Sequence, residues 1–276
     1  MQILEKIISF AKKDSNIRLL SLEGSRANPL PLKDKYSDYD ISFFCKDSKA
    51  FIQDETWLLN FGKLLFVQKP EDMEFYKPDL KQGWFSYLCL YEDGTKIDFT
   101  IIDIKDLNFY LGYEKLAIFL LDKDNLALSK IQNLEYFLPK DLSQRSFTDV
   151  LNEFYHLSGY AWREFLRDKE LSFIYYIDSM REALFVMLQW ELSLKEGKKI
   201  YLGKQHKLLK DYLSKKEYKN LLKSYKLGSK ELNLKAFKRL EKLFEKSYKK
   251  VAKEAKLELV NYKKALKKYK KILSAF

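Results

Sequence analysis

Apolar residues within the first hundred positions form short alternating or continuous runs, a pattern that is typical of β-strands. An amphipathic segment at 2–13 precedes them and predicts a helix, and a second helix is predicted at 48–59. Strands are predicted at 18–22, 39–45, 63–68, 85–91 and 96–102. The Asp93-Gly94 pair between the last two strands predicts a tight hairpin turn.

Beyond residue 104 the apolar positions recur at helical spacing. Helices are predicted at 105–121, 147–167, 170–195, 204–213, 215–225 and 231–273, the last with room for a break. Turn-forming residues within 122–146 predict a linker. We therefore expect an α+β fold, in which an N-terminal domain at 1–135 with a mixed sheet and flanking helices precedes an all-helical domain at 147–276.

The 276-residue chain carries a formal charge of +12 that is unevenly distributed. Residues 1–200 contain 27 basic and 32 acidic residues, whereas residues 201–276 contain 24 basic and 7 acidic residues. The basic excess therefore belongs to the tail. Because the lysines of the tail share helices with a regular apolar face, we expect them to form a solvated surface rather than a nucleic-acid site.

The sequence gives no indication of export or of a membrane partner. No uncharged run approaches the roughly 20 apolar residues of a membrane span, and charged residues interrupt the N-terminal segment where a signal peptide would be apolar. Cys45 and Cys89 have neither metal-binding nor redox spacing, and no disulfide is expected between them. We expect a cytoplasmic monomer.

Two carboxylates, Asp38 and Asp40, lie two positions apart at the start of the strand predicted at 39–45. Side chains at this spacing project from the same face of a strand, and paired carboxylates repel unless a cation lies between them. Asp98 is a natural third member, since it lies in an otherwise apolar strand. Oxygen ligands of this kind suit Mg²⁺. The alternative is that each carboxylate caps a turn or pairs with a lysine.

Gly24 and Ser25 follow the first predicted strand, and twelve residues separate Ser25 from Asp38. A Gly-Ser turn can offer backbone N–H groups and a hydroxyl to a phosphate without side-chain obstruction. A phosphate-binding turn near a carboxylate cluster indicates phosphoryl or nucleotidyl transfer.

With Gly-Ser followed by Asp-x-Asp, the chain resembles the DNA polymerase beta-type nucleotidyltransferase superfamily. Four longer segments are similar to the aminoglycoside 6-adenylyltransferase family, which modifies streptomycin: LEGSRANPLPLKDKYSDYDISFF at 22–44, FGKLLFVQKPEDM at 61–73, FSYLCLYEDGTKIDFTI at 85–101 and FLLDKD at 119–124. The similarity continues more weakly to about residue 230. Glu23 stands where a smaller neutral polar residue is expected, and the lysine-rich helices beyond residue 230 differ from the usual tail of the family.

The resemblance implies that Gly24, Ser25 and Arg26 contact the triphosphate of ATP. Lys204 is a candidate for a further phosphate contact from the helical domain, because Gly203 precedes it where a helix is predicted to begin. The alternative for Lys204 is one more solvated lysine of the basic tail.

For the carboxylates, the resemblance implies that Asp38 and Asp40 bind two Mg²⁺ ions. Asp98 would share a metal and serve as, or lie next to, the base that takes the proton of the acceptor hydroxyl. The acceptor oxygen would attack the α-phosphorus of ATP in line, and pyrophosphate would leave.

The leading functional hypothesis is therefore adenylylation of an aminoglycoside hydroxyl, with O-6 of streptomycin as the expected site. An acidic excess in residues 1–200 suits a polycationic antibiotic, and nucleic acid is not the expected partner. The same catalytic core could serve another acceptor, either a lincosamide, a protein or an RNA. A non-catalytic RNA-binding module is the alternative from another class.

Overall fold

A mixed β-sheet with helices, followed by a purely helical region, confirms the predicted α+β fold class. The structure is a computed structural model that describes residues 2–29, 36–126 and 128–275. The chain divides into two units, residues 1–136 and residues 137–276.

Seven strands in the described part of the first unit form one sheet with the order β3-β4-β5-β2-β1-β6-β7. The strands are β1 Ile17–Glu23, β2 Tyr39–Cys45, β3 Leu64–Gln68, β4 Phe85–Tyr91, β5 Lys96–Asp103, β6 Leu116–Asp122 and β7 Lys130–Gln132. Neighbouring strands are antiparallel except for β2 and β5, which run parallel. The predicted hairpin at Asp93-Gly94 joins β4 to β5.

Alternate side chains of the strands pack on the two faces of the sheet. The helices of this unit are α1 Ile3–Lys13, α2 Gly24–Ala27, α3 Ser48–Gln53 and α4 Leu107–Tyr113. On one face Phe99 packs against Trp57 and Phe61, with ring centroids 5.0 and 4.9 Å away. On the other face Phe44 packs edge-on against Tyr110 of α4, at 4.8 Å between centroids. The carboxylates Asp40 and Asp98 share this second face, since they lie an even number of residues from Phe44 and Ile102.

The structure corrects two of the predicted helices of the first unit. The helix predicted at 105–121 ends at Tyr113, and Leu116–Asp122 forms β6 beside β1. A short apolar run does not distinguish a buried strand from a helix by periodicity alone, and here pairing with β1 decides it. The helix predicted at 48–59 is α3 followed by a 3₁₀ helix at Glu55–Phe61, because Asp54 ends the first and caps the second.

The predicted linker at 122–146 is also partly wrong. Lys130–Gln132 forms β7 at the edge of the sheet, and a 3₁₀ helix follows at Leu134–Phe137. The next helix begins after Ser143, whose side chain accepts a hydrogen bond from the Ser146 N–H and so caps the helix.

The second unit is built from helices in its described residues. These are α5 Gln144–Leu166, α6 Glu170–Glu196, α7 Leu209–Tyr212, α8 Lys215–Leu222, α9 Lys230–Glu254 and α10 Tyr262–Leu273. The core includes Phe154 of α5, which stacks face to face on Phe244 of α9 with centroids 3.7 Å apart. The helix predicted at 231–273 is thus two helices. None of the described helices is both long and apolar enough to cross a membrane.

The basic tail forms the amphipathic surface expected from its sequence. Phe237, Leu240 and Phe244 of α9 are buried, while most of the lysines of α9 and α10 are exposed. Lys270 is the exception that the pattern did not predict. Its ammonium pairs with Glu241 at 2.6 Å and lies 4.1 Å from the centroid of the Phe237 ring, and burial lowers the pKa of Lys270.

Candidate active site

Three carboxylates converge on one face of the sheet, where β2 and β5 lie side by side. Asp40 on β2 is the register partner of Asp98 on β5, and Asp38 lies just before β2. One carboxylate oxygen from each residue lies within 4.8 Å of the others, and all three residues are partly buried. The structure therefore brings together the three carboxylates that were predicted from sequence. Their oxygen ligands and spacing fit a hard divalent cation such as Mg²⁺.

Gly24 contacts the carboxylate of Asp40 at the point where β1 ends. Its φ of +59° is in the left-handed region, which most side chains disfavour. A Cβ atom built on Gly24 would lie 2.0 Å from Oδ2 of Asp40, which is closer than any stable contact. A glycine is thus needed at this position both for the turn and for the approach of Asp40.

The predicted triphosphate residues Ser25 and Arg26 continue from Gly24 into the short helix α2. The guanidinium of Arg26 donates to the backbone oxygens of Asp38 at 2.8 Å and Ser37 at 2.6 Å. It also stacks 3.7 Å from the centroid of the Tyr39 ring. Arg26 therefore braces the segment that carries Asp38, next to the carboxylate cluster.

Lys96 at the start of β5 belongs to this site although the sequence analysis did not select it. Its ammonium lies 2.9 Å from Oδ2 of Asp38 and 2.5 Å from Oδ2 of Asp98. Burial opposes ionisation of Asp38, but Lys96 outweighs it and lowers the pKa of that carboxyl. Burial likewise opposes the charge of Lys96, and the two carboxylates outweigh it and raise the pKa of the ammonium. The two-residue spacing between Lys96 and Asp98 is a sequence signal that could have placed both on one face.

Glu23 precedes the Gly-Ser turn and forms a polar cluster with α4. Its carboxylate accepts hydrogen bonds from the hydroxyls of Tyr110 at 2.5 Å and Ser21 at 2.8 Å. Burial, reinforced by the negative charge of Glu114, raises the pKa of Glu23 to about 7. The residue noted in the sequence as unusual before Gly-Ser is thus a partly buried, hydrogen-bonded acid.

Lys204 lies in the second unit, so the structure does not place it relative to the carboxylates. It is exposed and begins a 3₁₀ helix at Lys204–His206, after Gly203 with φ +77°. The helix predicted at 204–213 is therefore this turn followed by the short α7. A phosphate-binding role for Lys204 stays a prediction.

A mixed sheet with three carboxylates beside a Gly-Ser turn is the arrangement expected of a nucleotidyltransferase, and the chain is an enzyme of this class. Residues 1–273 match the family model described as streptomycin adenylyltransferase. The chain belongs to this family, which confirms the resemblance seen in the sequence.

Individual relatives agree with the family assignment over nearly the whole chain. Aminoglycoside 6-adenylyltransferase of Staphylococcus aureus is 37% identical over 273 residues, covering 97% of this chain and 96% of that protein. The protein of the same name from Bacillus subtilis (strain 168) is 34% identical over 272 residues, covering 97% and 95%. A crystal structure of an aminoglycoside 6-adenyltransferase from Bacillus subtilis aligns over 100% of this chain and 98% of that one, with 32% identity and a TM-score of 0.50.

Proposed function

We propose that this enzyme transfers AMP from ATP to a hydroxyl of an aminoglycoside, with O-6 of streptomycin as the acceptor, and so inactivates the antibiotic. The observation that carries the transfer chemistry is the convergence of Asp38, Asp40 and Asp98 beside the Gly24 turn. The acceptor class is proposed from the names of the relatives, which are aminoglycoside 6-adenylyltransferases.

Asp38, Asp40 and Asp98 are the residues that would hold magnesium, with two ions expected. Three carboxylates with oxygens this close repel one another, and oxygen ligands in this arrangement suit a hard divalent cation, which supports magnesium as their ligand. When bound, magnesium would neutralise the developing charge on the phosphate oxygens.

The remaining proposed residues bind and orient the nucleotide. Gly24 and Ser25 would offer N–H groups and a hydroxyl to the triphosphate, and Arg26 would add its positive charge while it braces Asp38. Lys204 would contact a phosphate from the second unit. Holding the two substrates in a reactive orientation supplies much of the rate enhancement in such transfers.

Asp98 is proposed as the group that accepts the proton of the acceptor hydroxyl. The acceptor oxygen then forms its bond to the α-phosphorus in line, while the bond from that phosphorus to the bridging oxygen of pyrophosphate breaks. The products are the O-adenylylated acceptor and pyrophosphate, and the proton passes from Asp98 to solvent.

We further propose a division of labour between the two predicted domains. Residues 1–135 would carry out the transfer, and residues 147–276 would contact the acceptor and the phosphates. Because ATP is the donor and both cysteines are buried free thiols, we place the enzyme in the cytoplasm. We expect it to act as a monomer.

An acceptor screen tests the proposal directly. Pyrophosphate release from Mg²⁺-ATP is measured with streptomycin, a lincosamide, a protein mixture and RNA, each in turn, with Asp40→Asn as the inactive control. We expect release to depend on streptomycin and the product mass to increase by one AMP moiety. Stimulation by RNA or a lincosamide but not by streptomycin would overturn the acceptor, and release that Asp40→Asn leaves intact would overturn the site.

A further inference from the structure

Lys96 occupies the bridging position between two of the three carboxylates. Its ammonium contacts Oδ2 of Asp38 at 2.9 Å and Oδ2 of Asp98 at 2.5 Å. Both residues belong to the group whose ligand oxygens lie within 4.8 Å of one another. A positive charge supplied by the protein thus lies against two of the carboxylates that the proposed function assigns to a metal.

A bridging cation is needed here because of simple electrostatics. Carboxylates held this close repel one another, and the repulsion raises the free energy of the folded protein unless a positive charge offsets it. Lys96 supplies that charge from β5 itself, since residues 96 and 98 share a face of the strand. It therefore holds Asp38 and Asp98 near each other before any ligand binds.

The ammonium of Lys96 is able to leave this position, unlike the guanidinium of Arg26. The Lys96 side chain is 40% exposed and carries a point charge on a flexible stem. Arg26 is fixed by two backbone oxygens and by the ring of Tyr39. Of these two cations, Lys96 is the one that can exchange with solvent at little structural cost.

A divalent cation and the Lys96 ammonium cannot share the same two oxygens. An ion bound to Oδ2 of Asp38 and Oδ2 of Asp98 would lie within a few ångströms of the ammonium, where like charges repel strongly in a partly buried site. Either the metal or the ammonium bridges the pair.

We propose that Lys96 is a positioning residue that substitutes for the metal in the metal-free enzyme, competes with the divalent cation for Asp38 and Asp98, and withdraws when the cation binds. The inference rests on the proposed metal site. In the absence of nucleotide, Lys96 would therefore determine how tightly the site binds the divalent cation.

The test measures Mn²⁺ binding by electron paramagnetic resonance, without nucleotide, in the wild type, Lys96→Met and Lys105→Met. Lys105 is the matched control, because it forms a Lys–Asp pair at the same two-residue spacing with Asp103, the last residue of β5. We expect a dissociation constant about tenfold smaller in Lys96→Met, since the metal no longer breaks two ion pairs, and no change in Lys105→Met. Equal or weaker binding by Lys96→Met would overturn the inference.

Two further measurements keep the inference open to refutation if Lys96→Met folds poorly. In the wild type, Mn²⁺ should increase the rate at which an acylating reagent labels Lys96 at least threefold, with Lys105 as the internal standard. Lys96→Arg, whose charge is permanent and whose fork suits carboxylates, should bind Mn²⁺ no more tightly than the wild type. Unchanged labelling of Lys96, or tighter binding by Lys96→Arg, would contradict the competition.

The outcomes separate this inference from the proposed function. The proposed metal site is wrong if Mn²⁺ binding to the wild type and to Lys96→Met is absent, or if Asp40→Asn leaves that binding unchanged. If the wild type binds Mn²⁺ at that site and Lys96→Met binds it no better, only the role of Lys96 fails.

Discussion

Asp40 and Asp98 are register partners across the parallel pair of β2 and β5, so their carboxylates emerge side by side from one face of the sheet. The same ladder pairs Ser42 with Thr100 and Phe44 with Ile102. Backbone hydrogen bonds therefore set the spacing of the two acids, and a site carried on strands is held more rigidly than one carried on loops.

Replacement of Asp40 by Asn should abolish activity while the fold persists, because Asn keeps the shape of the side chain and removes the charge needed for a metal. We expect streptomycin-dependent pyrophosphate release to fall by about 10³-fold or more, which corresponds to several kcal/mol of lost transition-state stabilisation. Circular dichroism should show an intact fold. Asp103→Asn, at the other end of β5, is the control and should stay within a few fold of the wild type. Full activity in Asp40→Asn would refute the metal assignment.

Gly24→Ala should cost both stability and activity, whereas Gly94→Ala should cost stability alone. Both glycines have positive φ, so alanine is strained at either position, by roughly 1 kcal/mol or more. Only at Gly24 does the new Cβ collide with Asp40, while the Cβ at Gly94 meets nothing within 4 Å. The measurement is the pair of melting temperatures together with the pair of kcat values. Equal activity losses in the two variants would show that the contact with Asp40 is unimportant.

Glu23→Gln should make the protein more stable above neutral pH. The pKa of Glu23 is raised from its ordinary 4.5 to about 7 in the folded state, so the folded protein binds this proton more tightly than the unfolded chain does. The contribution of the Glu23 proton to the free energy of unfolding is fully present below about pH 4.5 and is lost as the pH rises through 7.

At pH 8 the free energy of unfolding of Glu23→Gln should exceed that of the wild type by roughly 1–3 kcal/mol. At pH 5 this difference between the two proteins should be smaller. Gln retains an oxygen that accepts from Tyr110. Guanidinium unfolding at both pH values checks this, with the exposed Glu74→Gln as the control. A pH-independent difference between Glu23→Gln and the wild type would rule out the elevated pKa.

Lys204→Ala should raise the KM for ATP about tenfold without lowering the melting temperature, since one charge-assisted hydrogen bond to a phosphate contributes roughly 1.5–3 kcal/mol. Lys210→Ala provides the comparison, because Lys210 is also exposed and lies only a few residues further along the chain. If both variants behave like the wild type, Lys204 is a solvated lysine and not a phosphate ligand.

The carboxylate cluster was predictable because its signal is local. Asp38 and Asp40 are two residues apart and so share a face without knowledge of the fold, and Asp98 stands out as a charged residue in an otherwise apolar strand. That Asp98 lies beside the other two depends on the pairing of β2 with β5. The strand β6 was not predictable in the same way. Residues 116–121 are apolar throughout, and the identity of Leu116–Asp122 as a strand comes from pairing with β1, nearly a hundred residues earlier in the chain.

The roles of Lys96 and Glu23 required the tertiary structure. Lys96 reaches Asp38 only because β5 lies parallel to β2 in one register, and 58 residues separate the two positions. Glu23 gains its elevated pKa from burial against α4, with its shortest hydrogen bond to Tyr110, 87 residues away. Long-range strand order and the packing of a helix on a sheet are not encoded in local periodicity. The spacing of Lys96 and Asp98 therefore indicates a shared face but not the contact with Asp38, and the burial of Glu23 has no local signal.

The position of β5 in the sheet also has a consequence for the order of folding. Strands β3, β4 and β5 form one antiparallel meander, while β2, β1, β6 and β7 form a second antiparallel group, and the parallel pair of β2 and β5 is the seam between them. The meander of β3, β4 and β5 can assemble from strands that are neighbours in sequence. The seam and the pairing of β1 with β6 join strands that lie far apart in the chain, and such non-local steps are slow because loop-closure entropy is lost before the contacts form. The carboxylate cluster straddles this seam. Activity should therefore return late in refolding, after much of the secondary structure has formed, and a bound divalent ion should slow the opening of the sheet at this line.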